Sequence, residues 1–167
     1  MVTCYAGLVA LVAAARIVEL RISADHVRRA SARGGIEAGA GHYPVMVALH
    51  AAFLAACPIE AWLLHRRWIP ALGVPMLGVL GGAYALRWWA IATLGDRWST
   101  RVIWVPGDRL VTSGPYRWMR HPNYVAVVME FAALPLVHTA WLTAVVFSAF
   151  NAMVLRTRIR AENAALK

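Results

Sequence analysis

The residues with the clearest chemical potential lie between Ser113 and Glu130, in the segment SGPYRWMRHPNYVAVVME. Arg120 and His121 directly precede Pro122, and proline suits the first position of a helix because its fixed φ is helical and its missing N–H needs no partner there. A helix that begins at Pro122 turns its free N–H groups and the positive end of its dipole toward these two basic side chains. The segment therefore predicts a binding site for an anionic group, such as a carboxylate or a phosphate.

Glu130 is the acid in the apolar run that follows Pro122. It lies about two turns from the expected helix start, since one turn takes about 3.6 residues. A carboxylate accepts hydrogen bonds from hydroxyl and amino groups, so we expect Glu130 to bind the same ligand. The alternative for the whole segment is a basic loop end at a membrane surface, where Arg and His accumulate for topological reasons.

The last apolar run carries a second set of polar residues. Asn151, Arg158 and Glu162 are spaced seven and four residues apart, so they fall on one face of a helix. Arg156 and Arg160 project elsewhere, and we interpret them as a basic cluster that ends a membrane span. Arg158 and Glu162 share their face with an asparagine in an apolar run, and they are predicted to be site residues.

These residues need elements that can hold them, and the composition indicates which kind. The chain has 167 residues, of which 60% are hydrophobic and only 15% are charged. That is too apolar for a soluble domain of this length, and it predicts an all-α, integral membrane helical bundle that forms a single domain over residues 1–167. The net charge of +9 sits in short clusters between apolar runs, which is typical of membrane topology and argues against nucleic-acid binding.

The apolar runs predict about five transmembrane helices with a C-terminal helical hairpin, because a helix needs about 20 apolar residues to cross the hydrocarbon core. The hairpin is interrupted by Pro135 and His138, and its first arm is short for a full span. Between the runs, residues 21–42 are expected to form a basic, flexible loop, and the segment around the PGD turn at 106–108 is expected to form two short extended pieces. The predicted runs are 1 to about 20, 43–64, 69–94, 123–137 and a last run to about 155.

The distribution of Lys and Arg predicts the orientation. The segment 21–42 carries four, the segment 95–121 five and the tail after 155 four, whereas the link at 65–68 carries two. The positive-inside rule therefore predicts that the first three face the cytoplasm and that the N-terminus lies outside. Arg28 and Lys167 are then expected on the same side of the membrane, together with the site.

Ionisable residues within the spans are costly in a membrane and usually face the bundle interior. Glu19, His50, Arg87 and Glu130 each lie one to two turns from the cytoplasmic end of a helix and are expected to share one layer, from which Glu60 is excluded. Two other interpretations remain open: Glu19 and Arg87 pair to neutralise each other, and His50 is a hydrogen-bonded packing residue. Cys4 and Cys57 have no His or acid at ligand spacing, so they predict no metal site. A set of tryptophans is typical either of an interfacial belt or of the wall of a lipid-entry slot: Trp88, Trp89, Trp98 and Trp104.

Four blocks in the last 75 or so residues match one family in order and spacing: LGDRWS at 94–99, LVTSGPYR at 110–117, RHPNY at 120–124 and RIRAENAAL at 158–166. With these blocks the chain resembles the isoprenylcysteine carboxyl methyltransferase family of integral membrane enzymes, which use S-adenosylmethionine. The resemblance implies a cofactor-binding half over about residues 94–167, with Arg158 and Glu162 at the reaction centre. Asn163 stands where the family commonly has the second acid of a Glu–Glu pair. The residues that the resemblance assigns to the cofactor are Arg120, His121, Pro122, Tyr124 and Glu130.

The upstream block GAGHYPVMVALH at 39–50 resembles a bacterial subgroup of this family found beside type III polyketide synthases. The subgroup O-methylates alkylpyrones and related alkylphenols. The resemblance therefore implies a lipophilic small-molecule acceptor, contact with membrane lipids, the bacterial cytoplasmic membrane as location and a polyketide synthase as pathway neighbour. The alternatives are methylation of an isoprenylcysteine carboxylate, an NADPH-dependent enzyme like the sterol reductases, which share GPYR and RHPxY but continue into an aromatic-rich tail, and a non-catalytic membrane scaffold.

Overall fold

The computed structural model of this chain describes residues 1–38, 41 and 43–165. Within these ranges it is a bundle of five α-helices, with two short strands and two 3₁₀ turns in the connections, which confirms the predicted all-α helical bundle. The 3₁₀ turns are Gly95–Arg97 and Gly114–Arg117. The helices are α1 (Val2–Ala32), α2 (Tyr43–Leu63), α3 (Pro70–Leu94), α4 (Pro122–Leu136) and α5 (Trp141–Ala165), and the strands are β1 (Ile36–Ala38) and β2 (Val102–Trp104).

Four helices, α1, α2, α3 and α5, are long and apolar enough to cross a membrane. The 15 residues of α4 extend about 22 Å at 1.5 Å per residue, which is less than the hydrocarbon core of about 30 Å. Large apolar side chains such as Leu11 and Val145 lie on the outer surface, 68% and 64% exposed. An apolar outer surface suits contact with lipid, so the molecule is an integral membrane helical bundle with a C-terminal hairpin formed by α4 and α5.

The first helix is longer than the sequence predicted, and the expected loop over residues 21–42 is wrong for its first half. α1 continues to Ala32 because the segment RISADHVRRASA has no Gly or Pro to stop it. Its polar side chains also find partners, since the Ser23 hydroxyl pairs with the Thr100 hydroxyl at 2.8 Å. The helix ends before Gly34, whose φ of 79° suits glycine. The Gly39, Ala40 and His42 part of the expected loop lies outside the described residues.

The extended pieces predicted around the PGD turn are half right. Val102–Trp104 forms β2, but residues 109–112 form no strand. The partner of β2 is instead β1, which pairs antiparallel with Ile36 opposite Trp104. The carbonyl of Arg109 accepts a hydrogen bond from Arg97 Nη1 at 2.8 Å, which ties that segment to the 3₁₀ turn after α3.

The short helix α4 lies at the centre of the bundle, packed mainly against α3 and α5. Phe131 of α4 stacks on Phe53 of α2, with ring centroids 4.1 Å apart, and both side chains are fully buried. At the far end of the bundle Glu60 accepts the backbone N–H of Thr143 at 2.6 Å and so caps the start of α5. This capping contact gives Glu60 a structural role, in agreement with its exclusion from the layer of buried charges.

Candidate functional site

The helix start predicted at Pro122 is confirmed, and it brings α4 against the end of α5. Tyr124, in the first turn of α4, donates its hydroxyl proton to Glu162 Oε2 at 2.6 Å. The imidazole of His121 stacks on the Tyr124 ring, with centroids 5.2 Å apart, and its Nδ1 lies 3.7 Å from Glu162 Oε1. Glu162 therefore fixes the aromatic pair at the N-terminus of α4.

A cavity of about 370 Å³, here called the polar cavity, opens at this end of the bundle. Tyr116 also lines it, and burial raises the pKa of the Tyr116 phenol above its usual range, so this side chain is a neutral hydrogen-bonding group there. The predicted site residues that line this cavity are Arg120, His121, Pro122, Tyr124, Arg158 and Glu162, together with Asn163.

A second cavity of about 370 Å³, here called the apolar cavity, lies deeper between α1, α2 and α5. Most of its lining is aliphatic, including Leu20, Leu54 and Val154. Its polar lining includes Glu19 and His50, which the sequence placed in one layer. A cavity of this character fits an alkyl chain that carries a polar group at one end.

The two cavities share four lining residues, Trp98, Asn123, Tyr124 and Arg158, which we call the shared wall. Three buried atoms of this wall, Trp98 Nε1, Asn123 Oδ1 and Arg158 Nε, have no hydrogen-bond partner among the described residues. A buried polar atom without a partner costs about 1–3 kcal/mol. Such unpaired atoms at the junction of two cavities are available to hydrogen-bond with a ligand or an ordered water.

Arg158 is the buried cation of this wall, with only 5% of its surface exposed. Its Nη2 donates to the carbonyl of Thr100 at 2.8 Å, Nη1 contacts Met46 Sδ, and the guanidinium lies 5.6 Å from the centroid of the Tyr124 ring. In the described part of the chain no carboxylate forms a salt bridge with it. Because buried charges are kept when they are compensated, Arg158 is suited to bind an anionic group.

The structure does not bring Glu130 to the polar cavity. Its Oε2 accepts a hydrogen bond from Arg87 Nη2 at 2.8 Å and another from Arg16, in a group of four charged residues of which Arg16, Glu19 and Arg87 line the apolar cavity. Glu19 Oε2 contacts Arg16 and lies 3.4 Å from Arg87 Nη1, so the predicted pairing of Glu19 with Arg87 is confirmed. We call these four residues the charge cluster, and together they have no net formal charge: Arg16, Glu19, Arg87 and Glu130.

His50 makes the hydrogen bond that the packing interpretation predicted. Its Nδ1 lies 2.9 Å from the carbonyl oxygen of Met46, one turn earlier in α2, and its ring meets Phe131 edge-on with centroids 4.9 Å apart. The same ring lines the apolar cavity. His50 therefore has both a structural contact and access to the cavity.

Sequence reasoning missed Asn123, Thr100 and Ser23. Asn123 is the variable position inside RHPNY, and its place between the predicted site residues Pro122 and Tyr124 could have indicated that it also belongs to the site. Thr100 binds Arg158 through its carbonyl, an atom whose role no side-chain pattern reveals. Trp98 is 2% exposed and belongs to the shared wall, as a slot residue would, whereas Trp89 is 46% exposed and fits an interfacial belt.

The fold and the cavities define an integral membrane helical bundle in which two adjoining cavities share a wall. The profile of the isoprenylcysteine carboxyl methyltransferase (ICMT) family matches residues 76–167, which is more than half of the chain. The chain belongs to this family. Membership suggests a membrane methyltransferase that depends on S-adenosylmethionine.

Two curated bacterial relatives match almost end to end. The uncharacterized protein YpbQ of Bacillus subtilis is 36% identical over 163 residues, which cover 96% of this chain and 95% of that protein. An uncharacterized protein of Haemophilus influenzae is 28% identical over 160 residues, or 94% of this chain and 91% of that protein. No solved structure gives a significant match.

Proposed function

We propose that this chain is an O-methyltransferase that uses S-adenosylmethionine to methylate a lipophilic acceptor bearing an acidic hydroxyl, of the alkylpyrone or alkylphenol class. The observation that carries this proposal is the shared wall, where a polar cavity and an apolar cavity meet at Arg158 and Tyr124. Methyl transfer requires two reactants, one polar and one lipid-soluble, to be held with their reacting atoms about 3–3.5 Å apart. Two cavities that share one wall are suited to that task.

The polar cavity suits the cofactor in size and in donor set. Its volume of about 370 Å³ falls in the range of about 300–1,000 Å³ that is usual for small-molecule sites. Arg120 and the N-terminus of α4 would hold the amino-acid carboxylate, and Asn163 and Glu162 would accept hydrogen bonds from amino and hydroxyl groups. When bound, S-adenosylmethionine supplies a methyl group on a sulfonium leaving group, so the protein mainly has to orient the reactants.

Arg158 is the residue we assign to the acceptor side of the shared wall. A hydroxyl becomes a better nucleophile when it loses its proton, and a cation within about 4–6 Å favours the ionised form. The guanidinium of Arg158 has no carboxylate partner in the described residues, so its charge is available to an acceptor oxygen. Its contacts with Thr100 and Met46 would hold the guanidinium in place beside the acceptor.

The acceptor class is supported by the remaining charges that line the apolar cavity. Arg16, Glu19 and Arg87 compensate one another within the charge cluster, so among the described residues the cavity presents one unpaired cation, Arg158, and one imidazole, that of His50. A hydroxyl acceptor uses both, whereas an isoprenylcysteine carboxylate needs the cation alone. The resemblance of residues 39–50 to the alkylpyrone subgroup favours the same choice. We further propose that the site faces the cytoplasm of a bacterial membrane and that a polyketide synthase supplies the acceptor.

The first test is calorimetric titration of detergent-solubilised protein with S-adenosylmethionine and, separately, with NADPH. We expect saturable binding of S-adenosylmethionine and none of NADPH. Binding of NADPH without binding of S-adenosylmethionine would support the reductase alternative, and binding of neither would favour a non-catalytic scaffold.

The second test offers labelled S-adenosylmethionine with alkylpyrones, alkylresorcinols and farnesylcysteine analogues. Labelled methyl ethers of the first two are expected, and methylation of the farnesyl compound alone would overturn the acceptor class but not the transferase. Arg158→Gln should lower the methylation rate at least about 100-fold, in the range of a lost electrostatic contact in a closed site. Arg156→Gln is the matched control, because Arg156 lies on the same helix with its side chain exposed.

A further inference from the structure

We propose that His50 is a catalytic residue, the general base that accepts the proton of the acceptor hydroxyl. This inference rests on the proposed function and deepens it, because it assigns the proton that an O-methylation must remove. It is carried by the hydrogen bond of His50 to Met46 and by the place of both residues in the apolar cavity.

The contact with Met46 determines the tautomer of His50. A carbonyl oxygen can only accept a hydrogen bond, so Nδ1, which lies 2.9 Å from Met46 O, must carry the proton. In the neutral ring the lone pair then belongs to Nε2. Nε2 is also the ring nitrogen farther from the α2 backbone, and so it is the basic atom of a side chain that lines the cavity.

The same methionine connects His50 with Arg158. Met46 Sδ contacts Arg158 Nη1, while Met46 O binds His50 four residues later on the same face of α2. His50 therefore lies four residues, or about 6 Å along the axis of α2, from the residue that contacts Arg158. Since both residues line the apolar cavity, an acceptor headgroup bound there would have the Arg158 cation and the Nε2 lone pair of His50 in its walls.

Two carboxylates compete for this role, and their contacts disfavour both. Glu162 lines the polar cavity and not the apolar one, and it already accepts the Tyr124 hydroxyl. Glu19 lines the apolar cavity, but its Oε2 is already engaged in ion pairs with Arg16 and Arg87.

The proposed step balances in atoms and charge. The acceptor O–H bond breaks, and its proton goes to Nε2 of His50, which becomes an imidazolium. The acceptor oxygen forms the new bond to the methyl carbon as the carbon–sulfur bond of the sulfonium breaks, and that electron pair stays on sulfur. The products are a methyl ether, S-adenosylhomocysteine and a protonated His50, which returns its proton to water in the next opening of the site.

A base of this kind makes the rate depend on pH in one direction. Neutral imidazole is the competent form, so methylation of a weakly acidic hydroxyl should decline as pH falls through the titration of His50. The charged and titratable groups around this ring come from four helices: Arg16, Glu19, Arg87, Tyr124, Glu130 and Arg158.

The test compares His50→Asn with His65→Asn, using a simple alkylphenol as acceptor. Asparagine keeps a donor for the Met46 carbonyl but has no basic nitrogen, whereas His65 is an exposed histidine in the link between α2 and α3. We expect His50→Asn to lower kcat about 100-fold at neutral pH, within the usual contribution of a general base, and to lose the low-pH limb. Its affinity for S-adenosylmethionine should stay within about twofold of the parent, and His65→Asn should match the parent in every respect.

A folded His50→Asn with the parent's rate and pH profile would overturn the proposal. A measurement on the unmodified chain keeps it testable if that variant does not fold. An alkylphenol substituted so that it is ionised throughout the pH range needs no base, so its methylation should show no low-pH limb, and the same limb with both phenols would also overturn the proposal. Failure of the unmodified chain to bind S-adenosylmethionine, or to methylate any hydroxyl acceptor, would instead refute the proposed function.

Discussion

The arginine side chains of this protein differ in burial and in ion-pair partners, even where they are close in the sequence. On α5, Arg156 and Arg160 are exposed while Arg158 between them is buried, because successive helical residues are about 100° apart around the axis. Arg87 is as deeply buried as Arg158, but Glu19 and Glu130 lie against it. Compensation therefore separates a structural arginine from one that is available to a ligand.

At the residue scale, we predict that Glu130→Gln destabilises the fold by about 3 kcal/mol or more, the usual cost of removing one partner of a buried ion pair. The substitution leaves Arg16 and Arg87 with one carboxylate between them. For a chain of this size the thermal midpoint should fall by roughly 6–12 °C. Asp25→Asn, at an exposed position of α1, is the control and should change little.

Thermal unfolding in detergent, with and without S-adenosylmethionine, measures this directly. Unchanged stability together with a loss of cofactor affinity of more than tenfold would instead show that Glu130 binds the cofactor, as the family resemblance implies.

At the scale of elements, the polar extension of α1 positions the shared wall. Ser23 is buried, and its hydroxyl accepts the backbone N–H of Thr100 at 2.9 Å while pairing with the Thr100 hydroxyl. His26 Nδ1 lies 2.8 Å from the carbonyl oxygen of Trp98. Since Thr100 binds Arg158 and Trp98 belongs to the wall, α1 holds the segment that separates the two cavities.

We predict that Ser23→Ala loosens this segment without unfolding the bundle. The Thr100 N–H loses its acceptor, at a cost of about 1–3 kcal/mol, so hydrogen exchange at this amide should accelerate roughly tenfold or more. KM for S-adenosylmethionine should rise at the same time. Ser31→Ala, at an exposed position of the same helix, should leave both quantities unchanged. Equal exchange rates in the two variants would show that the Ser23 contact is not what fixes the wall.

At the scale of the whole molecule, the polar groups of the site gather at one end of the bundle. α1, α3 and α5 end there, and α2 and α4 begin there. The segments at this end carry most of the Lys and Arg residues, whereas the link between α2 and α3 at the other end carries Arg66 and Arg67. We therefore retain the expectation that the polar end faces the cytoplasm. Lys167, used in that expectation, lies outside the described residues.

We predict that single cysteines at positions 28 and 160 react with a membrane-impermeant thiol reagent from the same side, and that a cysteine at position 65 reacts from the other. The background should replace Cys4, which is exposed, and Cys57 with serine. Labelling of intact cells and of inverted vesicles distinguishes the sides. Reaction of position 28 in intact cells would reverse the proposed orientation, and opposite exposure of positions 28 and 160 would contradict the arrangement of the helices.

The sequence determined the features that depend on a few neighbouring residues or on overall composition. The apolar spans followed from length and hydrophobicity, because about 20 apolar residues are needed to cross the hydrocarbon core. The start of α4 followed from the chemistry of Pro122, and the burial of Arg158 rather than Arg156 followed from helical periodicity. Each of these is encoded within one element.

Only the tertiary structure decided which residues became partners. Glu130 binds Arg16 from 114 positions earlier in the chain, and β2 pairs with β1 rather than with the residues just after it. Such contacts depend on how each helix is rotated and on which helices are neighbours, and neither is set by local propensity. For the same reason, the sequence predicted Arg158 as a site residue but did not predict the shared wall that Arg158 forms with Asn123 and Trp98. The residues of this wall come from separate segments, which only the packing of the bundle brings together.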